Sequence, residues 1–401
     1  MSLLCACGQD IPMVSLGVNS QYRIDRMKKL ILHPEFTGDA YRWTMKDRCG
    51  QDSLVSTDRD FIFVAATPGT YHLRLDIEDA SDPVCQEVEI IVEEEAVAYS
   101  RYITQVHEYR PAPGQFVGIM PLYEEGDTEE DMRVKAQKNI SGTNDIMISL
   151  GGFGGYVTFG FDHTVVNVAG EKDFKILGNA FYAEANPNPS APESGGSCEP
   201  GIVMVSIDRN NNGIPDDEWY ELAGSEYHKP TTRHNAKITY HRPAADKMPT
   251  PDKNSPITDT TYILWETDDG KSGYIAKNAY HNQDYYPRWV KENQMAFSGT
   301  LLPGNAVDES GGKGSYFVLY AYDWGYVDNH PNSEEYKISF DIGWAIDKNG
   351  KPANLPGVDF IRVYTGVNQQ CGWLGETSTE LSRAEDLHVE DHTHFTEHMQ
   401  P

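Results

Sequence analysis

Residues 355–365 read Leu355-Pro-Gly-Val-Asp-Phe360-Ile-Arg-Val-Tyr-Thr365. A Pro-Gly turn leads into a run whose side chains separate by twos. Phe360, Arg362 and Tyr364 take one face, and Ile361 and Val363 take the other, which is the period of a β-strand. Far upstream, Val157, Phe159 and Phe161 alternate with polar or small residues in the same way. Short alternating strands separated by Gly, Pro and Asn turns define a sandwich or barrel. The expected fold class is therefore all-β.

Composition supports this reading and narrows the function. The chain has 401 residues, 33 Lys+Arg and 61 Asp+Glu, for a formal net charge of −28. Phosphate binding needs clustered Lys and Arg, and none are clustered here, which argues against nucleic acid as a partner and against adhesion to anionic lipid. Cations and neutral ligands remain. The 35 Gly, 23 Pro, 23 Tyr and 7 Trp suit strands, turns and wide loops rather than long helices. No run reaches the ~18 apolar residues of a spanning helix. At about 150 residues per domain, the length predicts two or three domains.

The first domain is expected over 10–95. Its strand-like segments are Lys28–Leu32, Tyr41–Met45, Phe61–Ala65, Gly69–Glu78 and Glu87–Val92. In "TPGTYHLRLDIED" (67–79), a turn runs straight into Tyr71, Leu73, Leu75 and Ile77 on one face. With "YRWTM" upstream, this phrase resembles a PKD-like domain, an immunoglobulin-type sandwich that serves as a spacer or interaction module. Glu93-Glu94-Glu95 marks a charged exit, and a larger domain is expected over 96–386. A loop-rich insertion, 182–200, interrupts it, and a second polar stretch covers 226–261.

Residues 1–9 read as a signal remnant and linker. Leu3-Leu4-Cys5-Ala6-Cys7 resembles the end of a bacterial lipoprotein signal, with Cys7 as the lipid-bearing residue. The membrane would then be reached only through that lipid. Of the other cysteines, Cys49 and Cys85 fall in the first domain and are the preferred disulfide, while the pairing of Cys198 and Cys371 stays open. Residues 387–401 read as a solvated tail holding His388, His392, His394 and His398.

The sharpest local signal is Asp208-Arg-Asn210-Asn-Asn212-Gly213-Ile214-Pro-Asp216-Asp217-Glu218. Oxygen side chains at alternate positions, then Gly at the sixth, can wrap a hard cation. Asp208, Asn210, Asn212, the Ile214 carbonyl and Asp216 or Asp217 are the expected ligands of a structural calcium. Position twelve is Trp219 rather than a bidentate Glu, so the loop departs from an EF-hand.

"SLGGFGGYVTFGFDHTVVNVAGEKDFKILGNAFY" (149–182), "EPGIVMVSIDRNNNGIPDDEWYELAGSEY" (199–227), "YDWGYVDN" (322–329) and the 340–381 stretch around "LPGVDFIRVYT" together resemble a jelly-roll domain of bacterial cell-surface proteins. The resemblance spans most of 98–386. Members carry a His-x-Gln-x-Tyr-Tyr-Pro-x-Trp phrase, matched here by His281, Gln283, Tyr285, Tyr286 and Trp289. With Trp265, Trp324 and Tyr326 these form the expected ligand-binding set, since aromatic rings and amides suit a polar ligand with flat apolar faces. The resemblance implies a non-catalytic lipoprotein on the outer-membrane surface, serving a TonB-dependent transporter. Cobalamin or a related corrinoid is the leading ligand. A glycan is the alternative, and an adhesin binding a protein partner is a third reading.

Catalytic signatures are missing. There is no G-x-S-x-G, HExxH, GxGxxG or CxxC. Gly270-Lys271-Ser272 looks like the end of a P-loop, but the required upstream Gly is Trp265. A glycosidase pair could lie anywhere among 61 acids, so the sequence singles out no catalytic residue.

Overall fold

Strand Gly69–Glu78 lies at the centre of a five-stranded sheet. Its neighbours are Val84–Glu93 and Ala40–Lys46, both antiparallel. Gln21–Asp25 completes one edge in parallel, and Asp52–Ser56 the other. The period-two pattern is realised: Leu73, Leu75 and Ile77 are buried and join Trp43, Val88, Ile90 and Val92. Phe61 and Phe63 enter this core from the separate pair Leu30–Leu32 and Phe61–Phe63, with Phe61 stacked on Trp43 at 5.3 Å. The opposite face of the central strand is charged, and Arg74 pairs there with Asp76 and Glu87. Asp52–Ser56 was not anticipated, because an exposed edge strand carries little apolar signature.

The computed structural model describes residues 16–46, 50–79, 83–183, 188, 190–191 and 194–390. Two units are distinguished, Met1–Ala98 and Tyr99–Pro401. Cys7, Cys49, His392, His394 and His398 lie outside the described residues. Cys85 is half-buried on strand Val84–Glu93. Cys198 and Cys371 are buried thiols in one small cluster with Leu319 and Ala321, and burial raises both, to about 12 and about 11.

In the second unit, Phe360–Thr365 lies between Tyr156–Gly160 and Gly201–Ser206 in a six-stranded sheet. A four-stranded sheet orders Ser272–Asn278, Ile257–Thr267, Arg233–His241 and Gln294–Leu301. The two meet through Tyr364, whose hydroxyl accepts from the Thr300 N–H at 2.8 Å. Beneath the same contact, the Thr300 hydroxyl donates to the half-buried Glu221 carboxylate at 2.6 Å. Strand Arg233–His241 falls in the polar 226–261 stretch, where Ala236, Ile238 and Tyr240 supply an alternating buried face.

The architecture is mostly β, with several sandwich-like sheets and, among the described residues, one α-helix, Glu129–Ile140. That helix was not foreseen. Met132, Ala136 and Ile140 recur every four residues on its buried side, and Thr128 with Asp131 closes a reciprocal cap at its start. His388 also departs from expectation. Rather than lying in a solvated tail, it is nearly buried, with Nε2 2.9 Å from the Asp173 carboxylate.

Candidate functional site

The aromatic phrase 262–290 is divided between packing and surface. Tyr285 is fully buried, and its hydroxyl accepts from the Asn278 N–H. Tyr286 donates to the Glu292 carbonyl and carries the Arg242 guanidinium on its ring. Trp289 is 6% exposed and stacks on Tyr123. His281 packs edge-on against Phe116 with its pKa lowered by burial, and the Gln283 amide donates to the Gln115 carbonyl. Tyr326 is buried, its hydroxyl accepting from the Glu226 N–H. Trp324, 37% exposed, lies 4.7 Å from Trp344, over which Lys172 is placed. The expected ligand-binding residues are therefore spread over the second unit: Tyr285, Trp289 and Tyr326 are packed in buried contacts, and Tyr286 also borders a wider depression.

Trp265 differs. It stands on strand Ile257–Thr267 directly opposite Gly273 of strand Ser272–Asn278. The indole lies over that glycine, 2.4 Å from where a Cβ would be. It lines a cavity of about 100 Å³ together with Phe153, Tyr274, Asn368, Gln369, Gln370 and Glu376, among others. Four pieces of chain build it: the two strands just named, the glycine turn before Tyr156–Gly160, and the segment following Phe360–Thr365. In the turn, Gly151 has φ +67°, and a Cβ there would meet the Ala112 carbonyl oxygen at 1.9 Å.

Polar groups in this cavity are unequally engaged. Gln369 donates to Asn305 and Thr377, and Gln370 donates to the Gly372 carbonyl while accepting from the Ala276 N–H. Among the described residues, the Asn368 amide has no hydrogen-bond partner. Glu376 is 6% exposed; its Oε1 accepts from the Gln115 N–H at 2.6 Å, and its Oε2 has no partner. Burial pushes this carboxyl up to about 8. Gln115 is itself fixed, donating to the Leu374 carbonyl and accepting from Asn278.

Two wider depressions are more fully paired. One, of about 530 Å³, includes Tyr262, Tyr286, Lys277 and Lys247, the last bound to Asp259 at 2.6 Å. The other, of about 440 Å³, includes Tyr320, Tyr322 and Lys229, the last bound to Glu226 at 2.7 Å. An unpaired buried acid oxygen is costly unless a ligand meets it, so the smaller cavity is the better site.

The Asp208 loop closes on itself. The Asp208 carboxylate accepts from the N–H groups of Asn212 and Gly213, and Asn212 Oδ1 accepts from the Ile214 N–H. Asp216 takes the side-chain amides of Asn210 and Asn212, and Asp217 accepts from the Arg209 N–H. The Ile214 carbonyl accepts from the Asp216 N–H. Positive φ at Asn211 and Gly213 makes the turn. The loop gathers oxygen donors suited to a hard cation, but its three aspartates do not come together as a carboxylate triad.

A triad does form elsewhere. One oxygen from each of Glu199, Asp328 and Glu380 lies within 4.8 Å of the others, a donor set able to hold a metal ion. Desolvation and mutual repulsion raise the pKa values of Glu199 and Glu380, and desolvation raises that of Asp328. Asp328 Oδ1 accepts from the N–H groups of Asn179 and Ala180, and Ser378 donates to Glu380 at 2.5 Å. Sequence reasoning missed both this triad and Glu376. Neither has a spacing signature, and 61 acids offer too many candidates.

No family model and no curated protein matches the chain. Among solved structures, the chain is similar to one described as SusE-like protein BT2857, at 10% identity over 92% of this chain and 95% of that one. The TM-score is 0.22, too low to place the two in one fold.

Proposed function

We propose that the chain is a non-catalytic binding protein that takes a carbohydrate at the cavity beside Trp265. The observation that carries this reading is the cavity's composition. An indole and a phenol supply flat apolar surface for the C–H face of a sugar, and the Asn368 amide and Glu376 Oε2 supply hydrogen bonds. Glycoside hydrolysis calls for two carboxyl groups about 5–9.5 Å apart; Glu376 is the one carboxyl residue among those lining the cavity. This favours binding over turnover. A corrinoid is the second reading: a cavity of about 100 Å³ admits only a substituent of either ligand, so the titration and not the size separates them.

In this reading a lipid on Cys7 holds the protein at the outer-membrane surface, where it hands its ligand to a TonB-dependent transporter. Calcium in the 208–217 loop braces the end of strand Gly201–Ser206. The Glu199, Asp328 and Glu380 carboxylates hold a second hard cation.

The test is a tryptophan-fluorescence titration with a panel of soluble glycans, cyanocobalamin running in parallel. Saturable binding to a glycan, lost in Trp265→Ala, supports the reading. Binding to cyanocobalamin alone, or glycan binding unaffected by Trp265→Ala, overturns it.

A further inference from the structure

The cavity beside Trp265 is too small for a whole sugar ring, which raises the question of what enters it. Its walls are mixed. Phe153, Trp265, Tyr274 and Ile275 are apolar or aromatic, and two polar groups lack partners: the Asn368 amide and Glu376 Oε2. Among the described residues, no Lys or Arg lines it.

The two oxygens of Glu376 are not equivalent. Oε1 already accepts from the Gln115 N–H at 2.6 Å, so a proton on this carboxyl sits on Oε2. Burial pushes the carboxyl up to about 8, so at pH 7 Oε2 carries an O–H that no protein acceptor takes up, on a residue that lines the cavity. A matching guest presents an acceptor oxygen to Glu376, an N–H to Asn368 and a small apolar end to the rings. It must also be uncharged, because the site has no countercharge at neutral pH.

We infer that the cavity is a pocket for an acetamide-type group: its carbonyl oxygen accepts from Glu376 Oε2, its N–H donates to the Asn368 side-chain oxygen, and its methyl packs among Phe153, Trp265 and Tyr274. An N-acetylated amino sugar carries this group with the pyranose ring left at the mouth. The inference rests on the carbohydrate reading of the same cavity for the source of the amide, whereas the amide chemistry rests on the cavity itself. The acetamide side chains of a corrin ring share that chemistry, and the experiment separates the two sources.

The full chain is titrated at pH 7 with N-acetylglucosamine, glucose, glucosamine, N-methylacetamide and cyanocobalamin, read by tryptophan fluorescence and calorimetry. N-acetylglucosamine is expected to bind at least about tenfold more tightly than glucose or glucosamine, the lower end of the cost of leaving a buried hydrogen-bonding group unmatched. Glu376→Gln, which keeps an N–H donor where Oε2 stands, should bind within about threefold of the native chain. Glu376→Leu should lose about tenfold or more. If Glu376→Leu fails to fold, Asn368→Ala replaces it, with the same loss expected. Equal binding of glucose and N-acetylglucosamine through Trp265 would leave the carbohydrate reading standing and overturn the amide pocket. Saturation by N-methylacetamide or cyanocobalamin with no sugar bound would uphold the pocket and overturn the carbohydrate reading. Silence with all five ligands overturns both.

Discussion

The indole of Trp265 lies across Gly273 of the neighbouring strand, 2.4 Å from the point a Cβ would occupy. The ring can lie flat there because its cross-strand partner has no side chain. Gly273→Ala is expected to push the indole out of place and to cost about 1–3 kcal/mol, the usual penalty for overpacking. Thermal melting checks the cost, and loss of the fluorescence response to ligand checks the displaced ring. A native-like response in Gly273→Ala would show that the indole has room elsewhere.

Trp289 and Tyr326 belong to the packing of the second unit, not to its cavity. Trp289→Ala should lower stability by about 3–5 kcal/mol through the lost ring and the space left behind. Ligand affinity, measured on the folded fraction below the melting transition, should stay unchanged. A selective loss of affinity would return Trp289 to the binding site.

Desolvated carboxyls should make the protein less stable as pH rises. Glu221 is pushed up to about 7 and Glu376 to about 8 by desolvation, so the folded state keeps protons that the unfolded state releases above about pH 4.5. Each group therefore lowers stability by about 1.4 kcal/mol per pH unit until its folded value is reached. Glu376→Gln removes one contribution, so the melting temperature of the variant relative to the native chain should climb between pH 5 and pH 8. A difference independent of pH would mean that Glu376 is ionised in the fold.

His163 works in the same direction. Its fully buried ring has Nε2 2.8 Å from Asp386 and Nδ1 2.8 Å from Asp162. Burial alone would lower its pKa, but hydrogen bonds to the two aspartates outweigh that and raise it. The stabilisation is fully present below the unfolded value near 6.5 and is lost as pH rises through the raised one. His163→Ala leaves Asp386 buried without this partner and should cost about 3–5 kcal/mol at pH 6. Melting curves of the variant and the native chain at pH 6 give the value directly.

Chelation separates the two cation sites. In metal-free buffer with calcium restored at 100 times its Kd, a bound ion adds about 2.7 kcal/mol. If the 208–217 loop holds it, Asp208→Ala should abolish the rise in melting temperature, and Glu380→Gln should leave it intact. The reverse pattern would assign the ion to Glu199, Asp328 and Glu380. No response in the native chain would make the loop a turn only.

Much of the strand layout was legible from local pattern. Gly69–Glu78 and Phe360–Thr365 show a period of two strong enough to be read alone. The helix Glu129–Ile140 was missed because its apolar stripe is only Met132, Ala136 and Ile140 among charged residues. Of the expected ligand-binding residues, Trp265 alone lines the cavity that holds Glu376. Aromatic clustering in sequence could not separate rings that fill a core from a ring left at an opening.

The chain by itself determined its acidic, mostly β character and the positions of its turns, because alternation, Gly-Pro placement and charge act over a few neighbouring residues. Tertiary structure decided the site. Phe153, Trp265 and the Asn368–Glu376 segment are far apart in sequence, and only the folded sheets bring them to one cavity, where the Gln115 N–H holds Glu376. The same folding removes water from Glu376, and that loss of solvation pushes its carboxyl up to about 8 and leaves Oε2 buried without a partner.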